Sequence, residues 1–353
     1  MPTDSVLVTG ACGLVGAATV RMLAEQNRHV VATDLQTPAT RKVAASFSEI
    51  VDVRFANLVD PVAVETLLRQ VAPRAVIHLA AVIPPLIYAR RDVARNVNVG
   101  GVATLLRVAE KLPEPPRFIM ASSVAVYGAR NPHRTAEVLT TTTPVNPTDL
   151  YGGHKVEAET LVRNALLEWV ILRLGGVVST DPGAQSNLDN MYLERLLPED
   201  GRVQTVDVRD VARAFVSACT ADVGGQTLLI GGPDETNRLL QGDVGSAMAA
   251  AMGLVNGVPV GLAGDPDDDS AWFTTDWMDT TPAQEALGFQ RNSWPAMMAE
   301  IASNSGWKRV LLRVVAPASR LVLTRMSAYY GKGLRCADPW SAVRDKWGDP
   351  SPD

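Results

Sequence analysis

The sequence has few cysteines, no long unbroken apolar run and no excess of positive charge. Its three cysteines, Cys12, Cys219 and Cys336, are widely separated and odd in number. That argues against a disulfide framework and fits a reducing compartment. No uncharged apolar stretch reaches the roughly 18 residues that a spanning helix needs. Met1-Pro-Thr-Asp-Ser5 has neither the basic region nor the apolar core of a secretion signal. A cytoplasmic protein is therefore expected. The formal net charge of −5 gives no reason to expect nucleic acid as a partner. What is present is an ordinary soluble composition, 46% apolar and 20% charged, over 353 residues. That length allows one large domain or two.

The organising stretch is Ser5-Val-Leu-Val-Thr-Gly-Ala-Cys-Gly-Leu-Val-Gly16. Val6 to Val8 reads as a buried strand, Gly10, Gly13 and Gly16 as a turn, and Ala17 to Leu23 as the start of a helix. Such a unit, with Leu14 and Val15 at the mouth of the helix, offers backbone N–H groups and a helix N-terminus to a pyrophosphate. Gly10 makes the turn, Gly13 admits the ligand, and Gly16 allows close packing. A second strand, His29 to Thr33, ends in Asp34, 18 residues past Gly16. A carboxylate there accepts from adenosine ribose hydroxyls and repels a 2′-phosphate, so NAD is preferred over NADP. Cys12, inside the loop, reads as a small residue that fits rather than as a redox thiol.

The rhythm continues with a strand at Val51–Phe55, a helix begun by Asp60-Pro61, and an almost wholly apolar strand at Ala75–Leu79. That strand runs into Ala80-Ala81, small enough for a cofactor to lie across its end. His78 reads as a core residue. Val82 to Arg91 reads as a loop above the sheet, Arg95 to Leu112 as a helix, and Arg117–Ala121 as a fifth strand ending in Ser122-Ser123. Five strands alternating with helices give an α/β fold, a Rossmann-type doubly wound parallel sheet. Ligands of such sheets bind at the carboxyl ends of the strands.

A helix beginning near Thr148 or Asp149 carries Tyr151 and Lys155, four residues apart and on one face. The ordinary tyrosine pKa, near 10, is too high for a base at neutral pH, and an ammonium one turn away is expected to lower it. Ser123 can hold a substrate oxygen beside the tyrosine, which then takes the carbinol proton during hydride transfer.

With these residues in place the chain resembles the extended short-chain dehydrogenase/reductases, the NAD-dependent epimerase/dehydratase family. Thr9-Gly-Ala-Cys-Gly-Leu-Val-Gly16 matches the TGxxGxxG fingerprint. His78-Leu-Ala-Ala81, Asn98-Val-Gly-Gly101, Ser122-Ser-Val-Ala-Val-Tyr-Gly128, Tyr151-Gly-Gly-His-Lys155 and Val206-Asp-Val-Arg-Asp-Val-Ala212 follow in the usual order. The resemblance is strong over about residues 5 to 235 and continues weakly to about 303. It implies a catalytic triad of Ser123, Tyr151 and Lys155, adenine contact near Asn57 and Leu58, and cofactor packing along Leu79, Ala80 and Ala81. The resemblance also implies nicotinamide packing by the segment after Arg173-Leu174. Asn98 corresponds to a helix-stabilising asparagine beside the cofactor. By analogy with the family, the chain is expected to form a homodimer through a four-helix interface.

The resemblance leaves the substrate open. Family members acting on nucleotide sugars usually carry an asparagine just after the sixth strand. Here Trp169-Val-Ile-Leu-Arg-Leu174 runs into Gly175-Gly176, with Asn187 and Asn190 further on as substitutes. No clear arginine pair for clamping a diphosphate follows. A nucleotide-sugar epimerase or dehydratase, a hydroxysteroid-like or lipid alcohol dehydrogenase, and a non-catalytic NAD sensor all remain readings.

The expected organisation is an NAD-binding domain over 1–180, rejoined by 203–235, and a substrate-binding part over 181–202 and 236–303. Residues 304–353 form a helical extension with a disordered tail from Gly348. Asp265, Asp267, Asp268 and Asp269 read as a solvated acidic loop, and no metal site is expected. Residues 307–326 form a basic amphipathic helix, kinked by Pro317, for which docking on its own domain or a second subunit is favoured over a membrane surface.

Overall fold

The computed structural model describes residues 5–181 and 188–353. The N-terminal reading over Met1–Asp4, and Asn187 as a substitute asparagine, lie outside the described residues. The first half is laid down by short apolar strands with polar punctuation between them. β1 (Val6–Thr9) is wholly buried, and α1 (Leu14–Glu25) follows with Ala17, Val20, Leu23 and Ala24 against the core. β2 (Val30–Thr33) leads into α2 (Pro38–Ala44), which the Thr37–Thr40 capping box starts and which buries nothing. β3 (Val51–Val53) is followed by α3 (Pro61–Val71), where Asp60 caps the N–H groups of Val62 and Ala63 at 2.9 and 3.4 Å. After β4 (Ala75–His78), the stretch read as an open loop contains α4 (Leu86–Ala89), because Ile87 and Tyr88 are buried.

The next helical run is broken in register. α5 (Arg91–Arg95) passes through a π-helical turn at Asn96–Gly101 into α6 (Val102–Ala109). The wide turn presents Asn98, whose amide accepts from Val82 N at 2.7 Å and donates to Val82 O at 2.9 Å. β5 (Arg117–Ser123) then ends in a 3-10 turn over Val124–Tyr127. α7 (Leu150–Asn164) and β6 (Trp169–Leu174) complete the run.

Seven parallel strands form the main sheet, in the order β3-β2-β1-β4-β5-β6-β9, with β9 at Gln226–Ile230. Helices on both faces bury Val6, Val8 and Ile77 on one side and Leu7, Val76 and Phe118 on the other. Truncating such a leucine to alanine typically costs about 2–5 kcal/mol.

A smaller three-stranded sheet pairs β7 (Gly176–Val178), β8 (Arg202–Asp207) and β10 (Arg238–Leu240). Residues 203–207 thus belong to this sheet, and it is α9 (Val208–Ala218), packed on α1, that rejoins the main sheet. α10 (Asp234–Asn237) and α11 (Gln241–Met252) pack on the small sheet, and α13 (Trp294–Ser305) packs on them. α12 (Thr281–Leu287) lies against α9 and β9, whereas α8 (Leu188–Glu194) buries Leu193 with Ile87 and Leu150. Asp267 and Asp269 pair with Arg134, and Asn131 donates to Asp269.

α14 (Lys308–Arg325) and α15 (Pro339–Trp347) form the extension. The tail read as disordered is instead held. Arg91 donates to Asp349 O and Ser351 O, Arg91 and Arg95 pair with Asp353, and Leu150 N donates to Pro350 O at 2.7 Å. Its carboxylates and carbonyls find cations and an α7 N–H that lie far away in sequence. Among the described residues no helix is long and apolar enough to cross a membrane.

Candidate active site

The nucleotide end of the crevice is built mostly from backbone. Gly10 sits at φ +65, and a Cβ there would lie 2.6 Å from Ala80 N. A Cβ on Gly16 would lie 2.1 Å from Gly10 O, so its close contact is with the loop itself rather than with the sheet. α1 starts at Gly13 with no side-chain cap and no acidic residue in its first turn. Its N–H groups and partial positive charge are thus left for an anion. Asp34 is fixed at the end of β2, where its carboxylate accepts from Cys12 N at 2.9 Å and Leu35 N at 2.8 Å. The Cys12 thiol is pushed up to about 11, first by burial and then by Asp34. It stays protonated and donates to Thr40 O at 3.3 Å. Leu58 is buried beneath this end, and Asn57 accepts from Val59 N at 3.1 Å. Leu79, Ala80 and Ala81 follow β4, with Leu79 N bonded to Thr9 O at 3.2 Å. His78 is buried against Thr9 Oγ1 at 2.8 Å, and burial followed by Lys155 lowers it to about 3, which keeps the ring neutral. A glycine cradle, an uncapped helix start and a carboxylate at the neighbouring strand end fit the pyrophosphate and ribose of a dinucleotide.

At the other end, β5 delivers Ser123 and α7 delivers Tyr151 and Lys155. Ser123 Oγ accepts from Ala125 N at 3.1 Å and lies near enough to Tyr151 to favour its ionised form. Asp149 caps α7 by accepting from Gly152 N at 3.0 Å and Tyr151 N at 3.3 Å, and Tyr88 Oη donates to it at 2.8 Å. The Tyr151 hydroxyl is pushed upward by burial and then by Asp149, while Ser123 pulls it down. The lowering expected from Lys155 is thus not what this geometry gives. The Lys155 ammonium lies 5.6 Å from the Tyr151 ring centroid and donates instead to Ala121 O at 2.8 Å. Burial lowers Lys155 to about 8, with Glu159 acting in the opposite sense.

Behind these groups lies a network that the sequence reading missed. Glu159, one turn beyond Lys155, takes a two-point contact from Arg173 of β6 at 2.9 and 2.7 Å. Ser122 donates to it at 2.5 Å, and Arg163 at 2.9 Å. Arg173 also donates to Tyr127 Oη at 2.6 Å, which in turn donates to Thr140 O at 2.7 Å. Burial raises the Glu159 carboxyl, but Arg173, Ser122 and Arg163 hold it below the usual carboxylate range. One signal was available: residues 151, 155 and 159 share a helix face, and a glutamate on the face that meets the sheet needs a partner. Nearer the start of α7, His154 Nε2 lies 2.9 Å from Asp353 of the tail.

Comparison with known proteins places this geometry in context. Residues 6–231 match the NAD dependent epimerase/dehydratase family. The dTDP-glucose 4,6-dehydratase of Neisseria gonorrhoeae is 31% identical over 275 residues, covering 67% of this chain and 75% of that protein. The methionine adenosyltransferase 2 subunit beta of Rattus norvegicus is 29% identical over 175 residues, 49% of this chain. The chain spans about half, 47%, of that relative's length. In fold, it resembles the UDP-glucose 4-epimerase of Thermus thermophilus in complex with NAD. The TM-score is 0.68 at 21% identity, over 85% of this chain and 98% of the other.

Proposed function

The chain belongs to the NAD dependent epimerase/dehydratase family, and on that premise we propose that it is an NAD-dependent oxidoreductase or epimerase. It transfers a hydride reversibly at a substrate carbinol or ketone carbon. The observation that carries the reading is the convergence of Ser123, Tyr151 and Lys155 at the same sheet edge as the glycine loop and Asp34. Gly10, Gly13, Leu14, Val15 and Gly16 hold the pyrophosphate, Asp34 the adenosine ribose, and Asn57 and Leu58 flank the adenine. Leu79, Ala80 and Ala81 line the dinucleotide's path, and Asn98 fixes the Val82 backbone above it. NAD, when bound, supplies the hydride acceptor or donor.

The rest is done by the chain. Ser123 donates to the substrate oxygen and keeps it next to Tyr151. A tyrosine with a raised pKa is a proton donor at neutral pH, which suits delivery of a proton to a carbonyl oxygen. In the opposite direction the Tyr151 phenolate left by that step takes the carbinol proton, with Ser123 as the group that favours it. Glu159 and Arg173 tie α7 to β6, which fixes the reach of Tyr151 and Lys155.

A nucleotide sugar is the first substrate class, supported by the likeness to the dTDP-glucose 4,6-dehydratase. A hydroxysteroid-like or lipid alcohol is the second reading, and two observations favour it. A Cβ at Gly175 would lie 2.6 Å from Gln204 O, which leaves no room there for a diphosphate-binding asparagine. Tyr151 also packs with Val82, Ile87, Leu150 and Leu193 in an apolar cluster. A screen following NADH absorbance and sugar epimer exchange, with UDP- and dTDP-sugars set against hydrophobic alcohols, tests the choice. Turnover of one class that is lost in Ser123→Ala is expected. NAD binding with no turnover of either class would instead favour a binding-only protein.

A further inference from the structure

We propose that α14 is a membrane-surface docking helix, lying in the plane of an anionic lipid bilayer with its outward face among the headgroups. At about 3.6 residues per turn, Leu312, Ala316, Ser319 and Leu323 share the face that packs on α11 and α13. The opposite face is exposed and apolar along most of its length, with Arg325 at its C-terminal end. Val314 is 77% exposed, Trp307 72% and Val310 67%, and Leu311, Leu321 and Val322 continue the stripe. Water is a poor neighbour for so much contiguous hydrocarbon.

The charge pattern identifies the occupant. From 301 to 337 there is no aspartate or glutamate, whereas Lys308, Arg309, Arg313, Arg320, Arg325, Lys332 and Arg335 are all basic. This lies in a chain whose net charge is −5. Lys308 borders the stripe on one side, Arg313 and Arg320 on the other, and all three are exposed. Trp307 stands at one end and Tyr330 just past the other, both exposed, at the depth where amphipathic rings meet headgroups. Five basic residues within α14 preclude a span and suit a surface position. A second copy of the chain is a poorer occupant, because a two-fold contact would set this acid-free basic face against itself.

The helix is also joined to the candidate site. Just beyond it, Ala328 and Tyr329 enter the apolar cluster that holds Leu150 and Tyr151, and Tyr329 Oη donates to Leu196 O at 2.6 Å. Arg195 donates to Leu323 O. Docking of α14 thus fixes the orientation of the crevice relative to the bilayer.

The test is flotation of the full chain with vesicles of phosphatidylcholine alone and of phosphatidylcholine mixed with phosphatidylglycerol. Partitioning is expected to be at least about tenfold stronger on the anionic vesicles and to weaken at high salt. The exposed-face variants Val310→Gln/Val314→Gln and Arg313→Gln/Arg320→Gln should each lower it by about tenfold or more while keeping wild-type melting and NAD binding. Failure of the full chain to float with anionic vesicles would overturn the proposal. So would a lipid-free dimer that Val310→Gln/Val314→Gln converts to monomer with no effect on flotation.

Discussion

The two ends of the crevice are made differently. At the nucleotide end, Gly10, Gly13, Gly16 and Asp34 lie within one β-α-β unit, and what they offer is backbone plus one carboxylate fixed by two N–H groups. At the other end, Ser123, Tyr151 and Lys155 come from β5 and α7. They are held by Glu159, Arg173, Tyr127 and a tail whose Asp353 is 199 residues from His154. A site made from local backbone tolerates change elsewhere in the chain. A site made from buried charged side chains depends on every partner being present, because an unpaired buried charge is costly. The two ends should therefore fail separately.

The largest loss of stability is expected from Arg173→Met, which leaves Glu159 buried with Arg163 as its remaining ion-pair partner. About 3–5 kcal/mol should disappear from urea unfolding, and Glu159→Gln/Arg173→Met should recover part of it. If Arg173→Met were neutral, α7 would not depend on this pair. Next comes the pH dependence of Lys155. Its folded pKa is about 8 against an ordinary 10.5, so the unfolded chain binds the extra proton between those values. Stability of the wild type should therefore rise with pH through that window, by as much as about 3 kcal/mol, and Lys155→Met should flatten the rise. Equal pH profiles would mean that the ammonium is not strained by burial.

At the nucleotide end, Asp34→Ala should narrow the preference for NAD over NADP by about tenfold, or ~1.4 kcal/mol, measured by titration of both. Stability should scarcely move, and an unchanged preference would detach Asp34 from the ribose. The smallest effect belongs to Asp353→Asn, because its carboxylate and two of its partners, Arg91 and Arg95, are partly exposed. A loss of at most about 1 kcal/mol is expected in thermal unfolding.

This contrast also explains what could be read in advance. The strand rhythm, the glycine turn, Asp34 and the Asp60-Pro61 helix start are local patterns, and each is visible within a short window. The Tyr151–Lys155 spacing was equally visible, but its electrostatics were not. Where Lys155 points depends on Ala121 of another strand, and what raises Tyr151 is burial together with Asp149. The π-helical turn at Asn96–Gly101 hides inside an ordinary helical pattern, because its reason is the bond from Asn98 to Val82. The polar tail after Gly348 carries no periodicity, so only Arg91, Arg95 and the start of α7 reveal where it goes. The assignment of 203–207 failed for a related reason. A short strand rich in Val and Thr suits either sheet, and pairing with β7 and β10 decides.

The most direct test of the catalytic reading is Tyr151→Phe, with NAD affinity and turnover measured on the same preparation. The ring and its packing remain, and only the hydroxyl is removed. NAD affinity is expected to stay within about twofold of wild type, while turnover falls by roughly 10²–10⁴-fold. Turnover that survives the substitution, with NAD binding intact, would contradict a proton-transferring role for Tyr151.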